Sequence, residues 1–502
     1  MAPVPSVRSA RDLTSFSLDA DLIVVGTGAG GAMVAREAAQ GGLKVIALEE
    51  GAHSGPRDFT QREDEMIPLL FQDAGGRTTV DGAVTVLQGR GVGGSTVHNT
   101  NLCKRAPDEV LTSWNLPGWG VADLAPHYEI VERDLSVTAL TDGDLNRNNA
   151  LLKAACQKLG WRGALLHHNR RGCQRSGFCE LGCAYDAKEN ALKVLIPAAV
   201  ASGADVIADC RAVRVLHDGK RVSGVEARVV LPDGKLGATV TLRGAVCLSG
   251  SAVGSAQLAL KSALPDPSSS VGHGLRLHPG AAIAGVFADP VVGWQGVPQS
   301  YECTEKLRFD ESPDNVDRSW ILPVFAHPVG FGSSLPGFGA AHMAQMRNYA
   351  RVAIFSAMLH DRTSGKVTVS GERVKVHYRL EPSDEKALLH GMRACAELMM
   401  AAGAQKVMVP FSQPIELTQP SQLDQILAHG YRPLDPLLTA VHPMGTLALG
   451  RVVELDGSWK GLERLWVADG SLFPTSLGGP PQLSIYAAAH KVAQHVVKAL
   501  KS

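Results

Sequence analysis

The sequence of 502 residues is short of three things, and each shortage excludes a class of protein. It has no surplus of charge, since 49 Lys and Arg stand against 49 Asp and Glu. That balance removes the electrostatic footprint expected for nucleic acid or an anionic membrane as partner. It has no apolar run long enough to span a bilayer. Its first twenty residues, MAPVPSVRSARDLTSFSLDA, lack the apolar stretch of a secretory leader, so a cytoplasmic location is the expectation. It also lacks a cysteine framework: nine Cys, an odd number spread along the whole chain, argue against a disulfide scaffold. There is no internal repeat and no long linker. Hydrophobic residues at 45% and charged residues at 20% are ordinary for a globular protein, and the length calls for two or three lobes.

Glycine is what the chain has in quantity. Its 53 Gly concentrate at 26–31, 89–94 and 470–479, as loops wrapped around a ligand require. Residues 21–25, DLIVV, read as a buried parallel strand, followed by GTGAGG and a helix, AMVAREAAQGG. The next strand, KVIALEE, ends on Glu49. Strand, glycine turn, helix, strand and acid stand in the order of a dinucleotide fingerprint. Gly26 makes the turn, Gly28 admits the pyrophosphate to the backbone, Gly31 packs helix on strand, and Glu49 takes ribose hydroxyls. A second ligand-like stretch, GRGVGGSTVHNTNLCKRAP at 89–107, holds four glycines and no acid, and a third lies near the C-terminus. A cofactor touched by both ends of a long chain points to FAD rather than NAD.

Four motifs then occur in order: VVGTGAGG, GRGVGGSTVHN, HPMGT at 442–446 and LWVADGSLFPTS at 465–476. Together they resemble the glucose–methanol–choline (GMC) family of FAD oxidoreductases, over nearly the whole chain. The connecting pieces WNLPGWG at 114–120, VCLSGSAVGSAQLAL at 246–260 and LRLHPGAAIAGVF at 275–287 are most similar to the long-chain alcohol oxidase and cholesterol oxidase branch. The resemblance implies an α/β fold: a Rossmann-like FAD domain built from discontinuous segments, with an inserted substrate domain of antiparallel sheet and helices. The boundaries read 17–105, 191–275 and 435–502 for the FAD domain, 106–190 for a cap segment with a Cys-rich loop, and 276–434 for the substrate domain. Residues 206–230 and 364–379 read as hairpins, with turns at 218–220 and at Gly371.

The same resemblance implies roles. Gly93, Gly94 and Ser95 run along the cofactor, and Asn99 meets the flavin edge. His98 either bonds the flavin 8α-methyl or packs beside the ring. Val213 falls where the backbone meets adenine, although an ordinary strand valine reads the same. Asp469 and Gly470 lie along the cofactor. His442 resembles the family's catalytic base, taking the hydroxyl proton of an alcohol while hydride passes to flavin N5; the alternative is a structural His before a Pro-bounded turn. The implied substrate is a bulky or apolar alcohol, with oxygen or another acceptor taking the electrons.

Two features depart from that pattern. Where the family carries a second Asn or His at the substrate oxygen, this chain has Pro480, which has neither side-chain donor nor N–H. Gln482 is the candidate substitute, and a non-redox lyase on the same scaffold is the rival reading. Cys173, Cys179 and Cys183 are spaced C-x5-C-x3-C, with Ser176 where relatives carry another Cys. They read as structural or free thiols with no metal. An iron–sulfur cluster serving an acceptor-linked dehydrogenase, or zinc completed by His167 or His168, is the alternative. His278, His490 and His495 read as structural or surface residues.

Overall fold

A computed structural model describes residues 7–324 and 326–502. Its first sheet is the dinucleotide layer. Strand Ser17–Val25 lies parallel to Val45–Leu48 on one side and to Leu236–Leu248 on the other, and Val45–Leu48 in turn pairs Asp205–Ala208. Leu22, Ile23 and Val24 are fully buried, as a strand covered on both faces demands. The glycine turn leads into helix Ala29–Gln40. Leu465–Val467 joins the same sheet beside Leu236–Leu248, so the layer is assembled from segments far apart in the chain. An antiparallel meander, Cys210–His217, Val222–Val230 and Leu236–Leu248, extends it. The first of the two expected hairpins is the pair Cys210–His217 and Val222–Val230, and the second is Gly365–Ser370 with Arg373–His377.

The C-terminal helix, Gln482–Lys501, packs on helices Ala29–Gln40 and Val121–Asp134 and buries Leu483, Tyr486, Ala489, His490, Ala493 and Val496, spaced as one helical face. His490 is therefore a core residue, with its Nδ1 2.7 Å from Nδ1 of His127, while His495 is exposed.

The second sheet is antiparallel at its centre. Gly280–Val286 lies between Val352–Leu359 and Lys406–Val409, and the order continues through Ser319–Pro323, Tyr301–Cys303 and Gly163–Leu165. Helix Pro382–Ala401 covers one face with Ala387, Leu388, Met392, Cys395 and Met399. The other face presents Ala282, Ala284, Trp320, Leu322, Ile354, Ser356 and Met358 to a cavity, the period-two alternation of a strand. Two strands of this sheet come from segments expected in the FAD domain. Val84–Val86 and Leu438–Ala440 pair with each other, and Leu438–Ala440 pairs with Gly280–Val286. The division of the chain at 105 and 435 therefore does not coincide with the division between sheets. Among the described residues no helix is long and apolar enough to cross a membrane.

Candidate active site

One cavity of about 1140 Å³ runs between the two sheets. Its lining includes Glu50, Arg211 and Val213, Gly26, Thr27, Gly28, Gly94, Ser95, Asp469 and Gly470, and His98, Asn99, His442, Pro480 and Gln482. The glycine turn is tight because backbone crosses backbone there. A Cβ on Gly31 would stand 1.8 Å from the Gly26 carbonyl oxygen, and one on Gly30 would stand 1.7 Å from that of Ala468. Helix Ala29–Gln40 starts at this turn, and its first N–H groups have no partner within the helix.

The structure changes three expectations. Glu49 is buried, and its two carboxylate oxygens already receive four donors of the chain itself: Thr27 N at 3.2 Å and Thr27 Oγ1 at 2.8 Å on one, Gly51 N at 3.0 Å and Gly91 N at 3.1 Å on the other. A carboxylate has about four acceptor positions, so any ribose hydroxyl that Glu49 takes displaces one of these. Burial raises its pKa above the ordinary value, against those hydrogen bonds. Its neighbour Glu50 also lines the cavity and is held by Gln72 and by Arg211 Nε at 2.6 Å. Gly93 lies behind the cavity wall and donates its N–H to Thr27 Oγ1 at 3.3 Å, so Gly94, Ser95 and Thr96 form the surface that a ligand meets. Gln482 is not a free donor. Its Oε1 accepts from Asn99 Nδ2 at 2.6 Å and its Nε2 donates to the Leu102 carbonyl at 2.6 Å, so its amide orients Asn99.

Asp469 is buried and ties the site together. It accepts from Ser255 Oγ and from Ser471 N and Oγ, joining helix Ser251–Lys261 to the C-terminal loop. His98 packs on Phe71 with ring centroids 4.0 Å apart, and its Nε2 is buried without a hydrogen-bond partner. Burial, aided by the Lys188 charge, lowers its pKa to about 3. A neutral imidazole ring on the cavity wall, helix N–H groups without partners in the helix and a glycine cradle together fit an extended, anionic, ring-bearing cofactor such as FAD.

His442 is half-buried on the cavity wall. Its Nδ1 is 3.3 Å from Nδ1 of His278, with the rings edge to face, and its Nε2 has no partner among the described residues. Burial lowers its pKa to about 3, so the ring is neutral near neutral pH. On the side of the antiparallel sheet the cavity lining includes Leu322, Phe331, Leu335, Met408, Phe411 and Leu437, interleaved with polar residues such as Ser334, Ser356 and Ser412.

Sequence reasoning missed two residues here. Lys188 is buried and donates to the carbonyls of Val97 at 2.8 Å, Cys179 at 2.9 Å and Asn99, pinning the His98–Asn99 loop to the Cys-rich loop. Glu180, on that Cys-rich loop, lines the cavity, and burial pushes its pKa up to about 7, with Glu63 adding to the rise and Lys188 opposing it. Cys173, Cys179 and Cys183 are free thiols, and among the described residues no three His, Cys, Asp or Glu side chains stand together as metal ligands.

Comparison with known proteins agrees with this architecture. Two family models, both described as GMC oxidoreductase, match residues 67–280 and 361–489. A GMC-type oxidoreductase of Mycobacterium tuberculosis, itself uncharacterised, is 36% identical over 95% of this chain and 76% of its own length. Long-chain-alcohol oxidase FAO3 of Arabidopsis thaliana is 26% identical over 97% of this chain and 69% of its own length. Pyridoxine 4-oxidase from Mesorbium loti shares the fold with a TM-score of 0.70 at 16% identity, covering 95% of this chain and 98% of that one. A formate oxidase variant of Aspergillus oryzae shares it with a TM-score of 0.70 at 15% identity, covering 97% and 99%. The chain belongs to the GMC oxidoreductase family and is an FAD-binding oxidoreductase.

Proposed function

We propose that the protein oxidises a bulky or apolar alcohol to its carbonyl compound, with oxygen or a separate electron acceptor closing the cycle. The observation that carries the reading is the position of His442, on the wall of one continuous cavity that the glycine turn and the antiparallel sheet line together. In that arrangement Val213 and Arg211 lie against the adenosine end, and Gly26, Gly28 and the start of helix Ala29–Gln40 face the pyrophosphate. Ser95, His98 and Asn99 would meet the flavin, with Asp469 and Gly470 on the same cavity wall. Bound FAD supplies a hydride acceptor at N5. His442 meets the alcohol oxygen through Nε2 and is the group that receives its proton. Leu322, Phe331, Met408 and Phe411 on the cavity wall favour a substrate with a hydrocarbon part, which agrees with the likeness to a long-chain-alcohol oxidase.

Pro480 favours a second reading, non-redox lyase chemistry on the same scaffold, because it removes a donor at the substrate oxygen and Gln482 is engaged elsewhere. Anaerobic mixing with a panel of long-chain, terpenoid, steroid and aromatic alcohols separates the two. Bleaching of the bound flavin by one class is the expected result. Turnover with the flavin still oxidised would establish the lyase instead. His442→Ala is expected to keep its flavin and lose alcohol-dependent bleaching; full bleaching at the parent rate would remove His442 as the base.

A further inference from the structure

His278 reads in sequence as structural, yet it is the immediate partner of His442, and its own surroundings fix where both protons sit. The Gly478 N–H points at His278 Nε2 from 2.8 Å. A backbone N–H only donates, so that nitrogen holds the lone pair. A neutral imidazole has one N–H, and in His278 it is therefore on Nδ1. That Nδ1 stands 3.3 Å from His442 Nδ1, which must accept. The single proton of neutral His442 then lies on Nε2, the atom left open to the cavity.

We infer that His278 is a positioning residue that holds His442 with its proton on Nε2, so that the base of the reaction is at rest a hydrogen-bond donor. This rests on the reading of His442 as the group at the substrate oxygen. Taking up a proton at Nε2 requires the existing one to be on Nδ1. That places two N–H groups face to face across the His278 contact, so the contact must open before His442 acts as a base. The lock is rigid. His278 is 1% exposed, with φ 52°, a left-handed conformation unusual for a non-glycine residue. Its N–H donates to Asp361 Oδ1 at 3.2 Å and that of Leu277 to Asp361 Oδ2 at 2.9 Å, while Tyr378 donates to the same carboxylate at 2.6 Å. Gly478 also has a positive φ, 70°, and a Cβ there would lie 2.4 Å from the Phe309 ring, so only glycine delivers this N–H.

The other titratable groups around His278 do not compete for its Nδ1. His360, with ring centroid 6.4 Å away, uses its Nδ1 on Ser476. Arg276 donates to the carbonyls of Arg362 and Thr363. The loop that lost its side-chain donor at Pro480 thus supplies one at a distance. Gly478 sets His278, His278 sets His442, and His442 offers Nε2–H to an oxygen in the cavity.

Nitrogen-15 NMR of the FAD-loaded enzyme, labelled at histidine and with His442 located by its loss in His442→Gln, reads the tautomer directly. The expected spectrum has a protonated Nε2 and an unprotonated Nδ1 on His442 throughout about pH 5–8. In His278→Phe the Nδ1–H tautomer is expected to gain population, the protonation midpoint to move up, and alcohol-dependent flavin reduction to be slower at low pH relative to high pH than in the parent, because His442 is then protonated there. An Nδ1–H tautomer in the parent enzyme overturns the inference without any variant, as does an unchanged His442 signal in His278→Phe. Loss of the base role, seen as full bleaching in His442→Ala, would refute the catalytic reading and leave the tautomer assignment standing, so the two failures are distinct.

Discussion

Glu49→Gln tests the joint between the glycine turn and the Gly-rich loop. Glutamine keeps one acceptor oxygen and replaces the other with a donor. If the remaining oxygen faces Gly51 and Gly91, the Thr27 hydroxyl turns and accepts from the new amide, but the Thr27 N–H is left buried without an acceptor. If the amide is reversed, both Gly51 N and Gly91 N are stranded. The first arrangement is the cheaper one. Its cost is one unsatisfied buried N–H, about 1–3 kcal/mol, plus about 1 kcal/mol for bonds that lose their charge assistance, so roughly 2–4 kcal/mol in all. Because the joined loops line the FAD channel, that sum falls on cofactor affinity, on apoprotein stability, or on both. Titration of apoprotein with FAD, followed by flavin fluorescence, is expected to show a Kd raised by up to about 30- to 1000-fold, the remainder appearing as a lower apoprotein unfolding temperature. Acidification acts in the same direction, since burial raises the Glu49 pKa and protonation removes the same acceptors. A variant with FAD affinity within about threefold of the parent and an unchanged apoprotein melt would refute the claim that Glu49 couples these loops.

Three further outcomes are expected. Pro480→Asn restores a donor at the substrate oxygen and raises the rate of flavin reduction by simple alcohols, by up to about 2–4 kcal/mol of barrier; an unchanged rate would show that the His442 Nε2–H already fills that position. Denaturation in acid leaves flavin on the chain if His98 is bonded to it and releases it if the ring only packs, so the absorbance of the washed precipitate decides between them. Glu180, raised to about 7 from an ordinary value near 4.5, binds its proton more tightly in the folded state. Its contribution to stability is therefore present below about pH 4.5 and is lost as pH rises to about 7. Glu180→Gln is expected to flatten the fall in unfolding temperature across that window, and a parallel curve would show that the carboxyl does not carry it.

The parts of this molecule that could be read in advance are those whose causes are local. The turn at Gly26–Gly31 follows a strand and starts a helix, and each of those features depends on residues within a few positions. The hairpin at 365–377 was likewise legible, because alternation and a turn glycine lie in one short stretch. The site residues are legible as identities and not as partnerships. His442 stood out, but the His278 that sets its proton is 164 residues away, and the Gly478 that sets His278 is a further 200 from it. Gln482 reads as a free amide until Asn99, 383 residues earlier in the chain, is found against it. Lys188 carries no signal in the sequence, because nothing near it suggests that three carbonyls close around it.

The departure at position 480 and the histidine pair belong to one argument. A proline there removes both a side-chain donor and an N–H from the segment that enters the last helix, and Pro481 caps that helix without a donor of its own. Polar contact with the cavity must then come from farther back in the loop or from across it. Gly478 provides the backward route, since its positive φ turns its N–H onto His278 and away from the cavity. Restoring a donor at 480 and removing the His278 N–H therefore act on the same oxygen from two sides. If His442 Nε2–H is the surviving donor, the gain from Pro480→Asn should be larger in His278→Phe than in the parent, because in the His278→Phe background that donor is depleted. Equal gains in both backgrounds would mean that the two sites are independent and that the loop does not act through the histidine pair.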